Sequence, residues 1–188
     1  KIFINDKNRG HVYTFGRSIE LAKNEIIFLS DQDDLWIKGR LNLMKNDLLK
    51  SKVMLVSSNT NFIDVNGEEI IHKNDGVSER NSQNHISNII DIFKGKGNYY
   101  GCAMAFTSKI KKLILPIPSY VESHDLWIAL AANISKSNHH CNDVTLNRRI
   151  HGSNASVVQR KLIYKLWSRI IFFISIIHLF IRKLIKEN

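Results

Sequence analysis

Ile26-Ile27-Phe28-Leu29-Ser30-Asp31-Gln32-Asp33-Asp34-Leu35-Trp36 runs four apolar residues into three carboxylates packed within four positions. A short apolar run rich in strand formers reads as a buried strand, and the end of such a strand is where an α/β sheet presents chemistry. Three adjacent acids repel one another unless something positive lies among them. A divalent cation held by hard oxygen ligands, Mg²⁺ or Mn²⁺, is the simplest remedy.

Outward from this stretch, strands and helices alternate. Phe15, Ile19 and Ala22 fall at helical spacing, with Thr14 as a candidate N-cap, and residues 1–13 read as a loop or weak strand. After the acids, Leu35 to Lys50 reads as an amphipathic helix on Leu41, Met44 and Leu48. Val53 to Ser58 is a second apolar strand, and Phe62 to Ile71 alternates around Asn66-Gly67 as a hairpin. Lys73 to Asn84 reads as a surface loop and Ile86 to Phe93 as a short helix. Tyr99 to Phe106 reads as a strand interrupted by Gly101, and Ser108 to Leu115 as helical turns stopped at Pro116. Asp125 to Ile134 forms an apolar helix and Asp143 to Leu146 a last strand. The pattern is α/β with a mixed sheet.

At 188 residues and 44% hydrophobic content the chain supports one ordered core with appendages. The first residues, Lys1-Ile2-Phe3-Ile4, carry no initiating Met and no signal peptide, and read as mid-domain sequence. Cys102 and Cys141 are too few and too far apart for a disulfide framework, which favours a reducing, cytoplasmic setting. The net charge of +10 invites a nucleic-acid reading, but seven Lys/Arg against one acid lie beyond residue 159, so +6 of it accompanies the most apolar residues. That combination suits an anionic membrane surface, not nucleic acid.

Three groups could do chemistry. Asp31, Asp33 and Asp34 could hold a metal that bridges two phosphates, or form a solvated acidic turn. His124-Asp125 opens a helix after two prolines. Asp125 there is either an N-cap or a general base, and an acid can be both. Arg149 and His151 flank Ile150 in an extended segment, so both can face one side. Arginine suits a diphosphate and neutral histidine a divalent metal; the alternative is an exposed basic strand end. The other histidines (11, 72, 85, 139, 140 and 178) have no partners at ligand spacing and read as surface or packing residues.

Together these stretches resemble the family 2 glycosyltransferases, in particular the rhamnosyltransferase-like branch of bacterial surface-polysaccharide biosynthesis. Ser30-Asp31-Gln32-Asp33-Asp34-Leu35-Trp36 resembles the S-D-Q-D-D-x-W signature, and Phe15 to Glu25 the helix before it. Gly101 to Phe106 resembles G-C-x-M-A-F. Leu115 to Pro118 with His124 to Trp127 resembles P-x-P…H-D-x-W, and Arg149 to Asn154 resembles R-x-H-G-x-N. The match covers about residues 10–156, and five ordered motifs are more specific than any one.

The resemblance implies a GT-A fold, related to the Rossmann fold, over residues 1–156, and an inverting, metal-assisted transfer from a nucleotide-diphosphate sugar to a glycan or lipid-linked acceptor. Rhamnose is the sugar the branch suggests. It implies Asp125 as the catalytic base and Asp33, Asp31 and His151 at the metal. Asp31, Gln32, Asp34 and Arg149 would meet the nucleotide-sugar; Gly101, Cys102, Trp36, His124 and Trp127 would form the acceptor site. Arg148 stands where the family usually has an aromatic, which leaves open which arginine faces the diphosphate. The family's opening βα units, with the acids that hold the base, are absent, so the chain reads as truncated at its start and inactive alone.

From Ile170 to Ile181 no residue is formally charged, and twelve residues are too few to span a bilayer. On a helix, Lys161, Lys165, Ser168, Ser175, His178, Arg182 and Lys186 form one polar stripe beside a wide apolar arc. Residues 157–188 therefore read as a basic amphipathic helix lying at the inner face of the cell membrane, or packed on protein. Two other functions remain: a metal-dependent phosphohydrolase, disfavoured by the lack of paired ligand histidines, and a non-catalytic membrane-surface fragment.

Overall fold

The computed structural model describes residues 1–71, 76–96, 98–151 and 162–187. It is a mixed α/β structure built on one five-stranded sheet in the order β1-β4-β3-β5-β2. The strands are β1 (Ile26–Phe28), β2 (Leu35–Trp36), β3 (Leu55–Ile63), β4 (Met104–Thr107) and β5 (Asn138–Arg149). β3 and β5 run parallel, while β4 lies antiparallel to both β1 and β3, and β2 antiparallel to β5. The helices are α1 (Gly10–Leu21), α2 (Arg40–Ser51), α3 (His85–Lys94), α4 (Lys111–Ile114), α5 (His124–Ile134) and α6 (Leu162–Glu187).

Strand alternation divides the core between two faces. Leu55, Met104 and Phe106 point to the side covered by α1, α5 and α6, where Ile19, Ile128 and Leu179 complete a buried cluster. Their neighbours Val56 and Ala105 point the other way, against Met44 and Leu48 of α2. Burying both faces of the central strands explains why Val53 to Ser58 reads as an unbroken apolar run.

Several boundaries differ from the sequence expectations. α1 begins at Gly10, so Thr14 is inside the helix, its hydroxyl donating to the Gly10 carbonyl at 2.9 Å. Leu35 and Trp36 are not the first turn of a helix. They form β2, paired with Leu146 and Asn147, and α2 starts only after Gly39, whose φ of +91° breaks the chain direction. Gly101–Ala103 is one 3₁₀ turn leading into β4. The Asn66-Gly67 turn forms, with Asp64 Oδ1 accepting from the amides of Asn66 and Glu68, but among the described residues its return arm meets β3 only at the Ile63–Glu69 bridge. β5 is twelve residues long, well beyond the four expected. Of the surface loop expected over 73–84, the first residues lie outside the described set, as do Gly152, Ser153 and Asn154 of the last motif.

Candidate functional site

β1 delivers its acids to the end of the sheet where β2, the Gly101 turn, the start of α5 and the end of β5 meet. The three β1 acids do not act as one group. Asp33 Oδ2 lies 2.7 Å from His151 Nε2, a pair drawn from opposite ends of the domain. Asp31 and Asp34 instead gather with Cys102, their ligand atoms all within 4.8 Å of one another. Burial and then the charge of Asp34 raise the Asp31 carboxyl above its ordinary range, with Asp33 and Asp125 adding to the effect and Arg148 opposing it. Asp34 Oδ1 accepts the Arg149 amide at 2.9 Å, while its buried Oδ2 has no hydrogen-bond partner. Burial foremost, then Asp34, pushes the Cys102 thiol up, so it stands as a neutral thiol in the wall of the site.

The two arginines separate. Arg149 donates from Nε to the Asp33 carbonyl at 3.1 Å and from Nη1 to the carbonyls of Asp64 at 2.7 Å and Val65 at 3.0 Å. It ties the acidic loop to the Asn66-Gly67 turn. Arg148 lies over the Tyr100 ring, 4.4 Å from its centroid, and is the arginine whose charge reaches Asp31.

Asp125 stands in the first turn of α5, but the helix cap is Ser123, whose hydroxyl oxygen accepts the Leu126 amide at 3.3 Å. Asp125 Oδ1 takes the Leu126 amide at 2.9 Å and the Ser123 hydroxyl proton. Both bonds converge on Oδ1. His124 is buried beside it, its ring stacked on Phe15 at 4.0 Å, and neither ring nitrogen has a hydrogen-bond partner. Burial lowers its pKa, so the ring is neutral. Gly101 is needed for this approach, since a Cβ there would stand 2.8 Å from His124 Nε2 and 3.5 Å from Asp125 Cβ.

Gln32 is exposed at the tip of the acidic loop. Trp36 is part-exposed, with the Arg40 guanidinium 4.7 Å from its ring centroid. Trp127 is not at the site. It is 2% exposed in the core, and its indole N–H donates to the Ile114 carbonyl at 3.0 Å.

Two contributors escaped the sequence reading. Arg40, in a lysine-rich helix, reads as a surface residue; it is 2% exposed and donates to the Cys102 carbonyl at 2.5 Å and Thr145 Oγ1 at 2.7 Å. Burial lowers its pKa to about 10, so it stays charged and holds the Gly101–Cys102 turn against β5. Ser123 is the other; a serine directly before the apolar helix, a preferred N-cap residue, was the available signal.

Neither a protein-family model nor a curated protein sequence matches this chain.

Proposed function

We propose that this acidic mouth is the diphosphate end of a GT-A-type sugar-transfer site. The protein would move a sugar, rhamnose or another, from a nucleotide-diphosphate donor to a hydroxyl of a glycan or lipid-linked acceptor, with inversion. The observation that carries this reading is convergence. The β1 acids, the Gly101–Cys102 turn, Asp125 and His151 come from four separate stretches and meet at one end of the sheet, in the order the family 2 resemblance expects.

The residues fit Mg²⁺ or Mn²⁺. Adjacent corners of an octahedral Mg²⁺ lie about 3 Å apart, close to the separation of Asp33 Oδ2 and His151 Nε2. The raised Asp31 carboxyl and the orphaned Asp34 Oδ2 mark excess negative charge that a cation would relieve. Asp33 and His151 would hold the ion, with Asp31 and Asp34 beside it; when bound, it would neutralise charge on the departing diphosphate.

The remaining roles fall to the chain itself. Arg148 would add positive charge at the mouth, while Arg149 holds the loop's shape. Asp125 would accept the proton of the attacking hydroxyl at Oδ2, because Oδ1 is occupied by Ser123 and Leu126. Attack from the face opposite the diphosphate inverts the anomeric centre.

The protein, offered a panel of nucleotide-diphosphate sugars, should release nucleoside diphosphate only with metal, faster with acceptor, and not in EDTA. Release of orthophosphate without acceptor would identify a phosphohydrolase instead. No release from any donor would remove the catalytic reading.

A further inference from the structure

Helix α6 packs with its polar side inward. The Ser168 hydroxyl donates to Glu122 at 2.6 Å, Tyr120 Oη and His178 Nδ1 lie 2.6 Å apart, and Arg182 donates to the carbonyls of Leu113 and Pro116 at 3.1 and 2.8 Å. Lys183 reaches the Ile134 carbonyl at 3.4 Å. Leu179, fully buried between these groups, joins the main core. The helix is therefore fixed in rotation by directional bonds to the loops and helices beneath it. Phe172 and Ile176 pack against the core, while most of the apolar arc is turned away from the protein.

That outward arc is large. From Leu166 to Ile185, ten bulky apolar side chains are exposed to between 44% (Ile174) and 69% (Ile185). Placed at 100° per residue they fall within an arc of about 140°, an unbroken ridge along a helix about 39 Å long. Monomers rarely leave so large a contiguous apolar surface in water. Among the described residues, no helix is long and apolar enough to cross a membrane.

Charge decides what covers the ridge. α6 carries Lys165, Arg169, Arg182, Lys183 and Lys186 against Glu187; Arg182 and Lys183 reach carbonyls beneath the helix, and the exposed cations, Lys165 and Lys186, stand near its two ends. Beside it, a cavity of about 590 Å³ between α3, α5 and α6 is bordered by Lys94, Lys165 and Arg169, with Glu122 its acid. A second copy of the chain would set like charges against one another; an anionic lipid surface complements them. Trp167, on the ridge near its first turns, is of the type that favours the headgroup boundary.

We propose that α6 docks the chain on an anionic lipid surface, with its outward ridge in the headgroup–acyl boundary and its flanking cations at the lipid phosphates. The helix lies in the membrane plane and does not cross it. Because α5 packs on the inner side of α6, docking brings Asp125 to within one helix layer of the bilayer, whatever reaction it performs.

The test is vesicle flotation of the protein and of the variant Ile170→Ser/Ile177→Ser/Ile181→Ser, whose changed residues are exposed on the ridge and should leave the thermal melt unaltered. Wild type should float with phosphatidylcholine–phosphatidylglycerol vesicles, and the triple variant should partition at least about tenfold less. Lys165→Glu/Lys186→Glu should weaken binding by about fivefold or more per lysine, and salt should do likewise. Equal flotation of wild type and triple variant overturns the proposal. So does salt-insensitive binding that is equally strong to pure phosphatidylcholine. A dimer in sedimentation equilibrium that the triple variant abolishes, without vesicle binding, assigns the ridge to a second copy.

Discussion

Asp33 Oδ2 and His151 Nε2 meet at 2.7 Å although 118 positions separate them in sequence. The contact closes the end of β5 onto the acidic loop after β1, and it sets an oxygen and an imidazole nitrogen at the spacing of neighbouring metal ligands.

With the ion held as proposed, removal of either partner should weaken metal binding. In Mn²⁺ titrations followed by electron paramagnetic resonance, Asp33→Asn and His151→Ala should each raise the dissociation constant by about tenfold or more. Arg149→Ala should act differently. It unties three carbonyls of the loop and turn, so it should lower thermal stability along with metal affinity. Unchanged Mn²⁺ affinity in both Asp33→Asn and His151→Ala would place the ion elsewhere, with the Asp31–Asp34 pair the next candidate.

Gly101→Ala should destabilise the protein by about 1–3 kcal/mol. The added Cβ meets His124 Nε2 at 2.8 Å, and the ring cannot retreat easily because Phe15 is stacked on it at 4.0 Å. Urea unfolding measures this. A variant as stable as wild type would show that the α5 start yields without cost.

Stability should fall in mild acid. His140 is buried among Tyr99, Asn138 and the Ser78 carbonyl, and burial, partly opposed by the Ser78 bond, lowers its pKa from 6.5 to about 4. The unfolded chain takes up a proton through this range that the folded chain refuses. The stability contributed is full above pH 6.5 and is lost as pH falls toward 4, to a total of about 3 kcal/mol. Buried His124, also lowered, adds in the same direction. Melting temperatures should drop steadily across this window; a flat profile from neutral pH to about pH 4.5 would mean that water or rearrangement admits the charge.

The elements that depend on local pattern were legible in the sequence. β1 followed from its four apolar residues, and α3 and α5 from their spacing. What depends on distant partners was not. Leu35 and Trp36 extend because β5 offers them hydrogen bonds at Leu146 and Asn147, which no local window reveals. Sequence also brought Asp31, Asp33 and Asp34 forward as one group, whereas successive residues of the loop face different ways, Asp33 to His151 and its neighbours to Cys102. Arg40 was invisible because a buried cation and a surface one look alike in a lysine-rich helix. For α6, periodicity defined a polar stripe and an apolar arc but not which of them the protein would keep for itself; hydrogen bonds to fixed carbonyls decided it.

The most direct measurement compares wild type and Asp125→Asn, following sugar transfer and donor binding side by side. The asparagine keeps the oxygen that bonds Ser123 and Leu126 but replaces the basic oxygen with an amide. The expected result is a loss of transfer of about 10²–10⁴-fold with donor affinity unchanged. Normal turnover in Asp125→Asn would contradict the assignment of this carboxylate as the base and, with it, the central reading of the site.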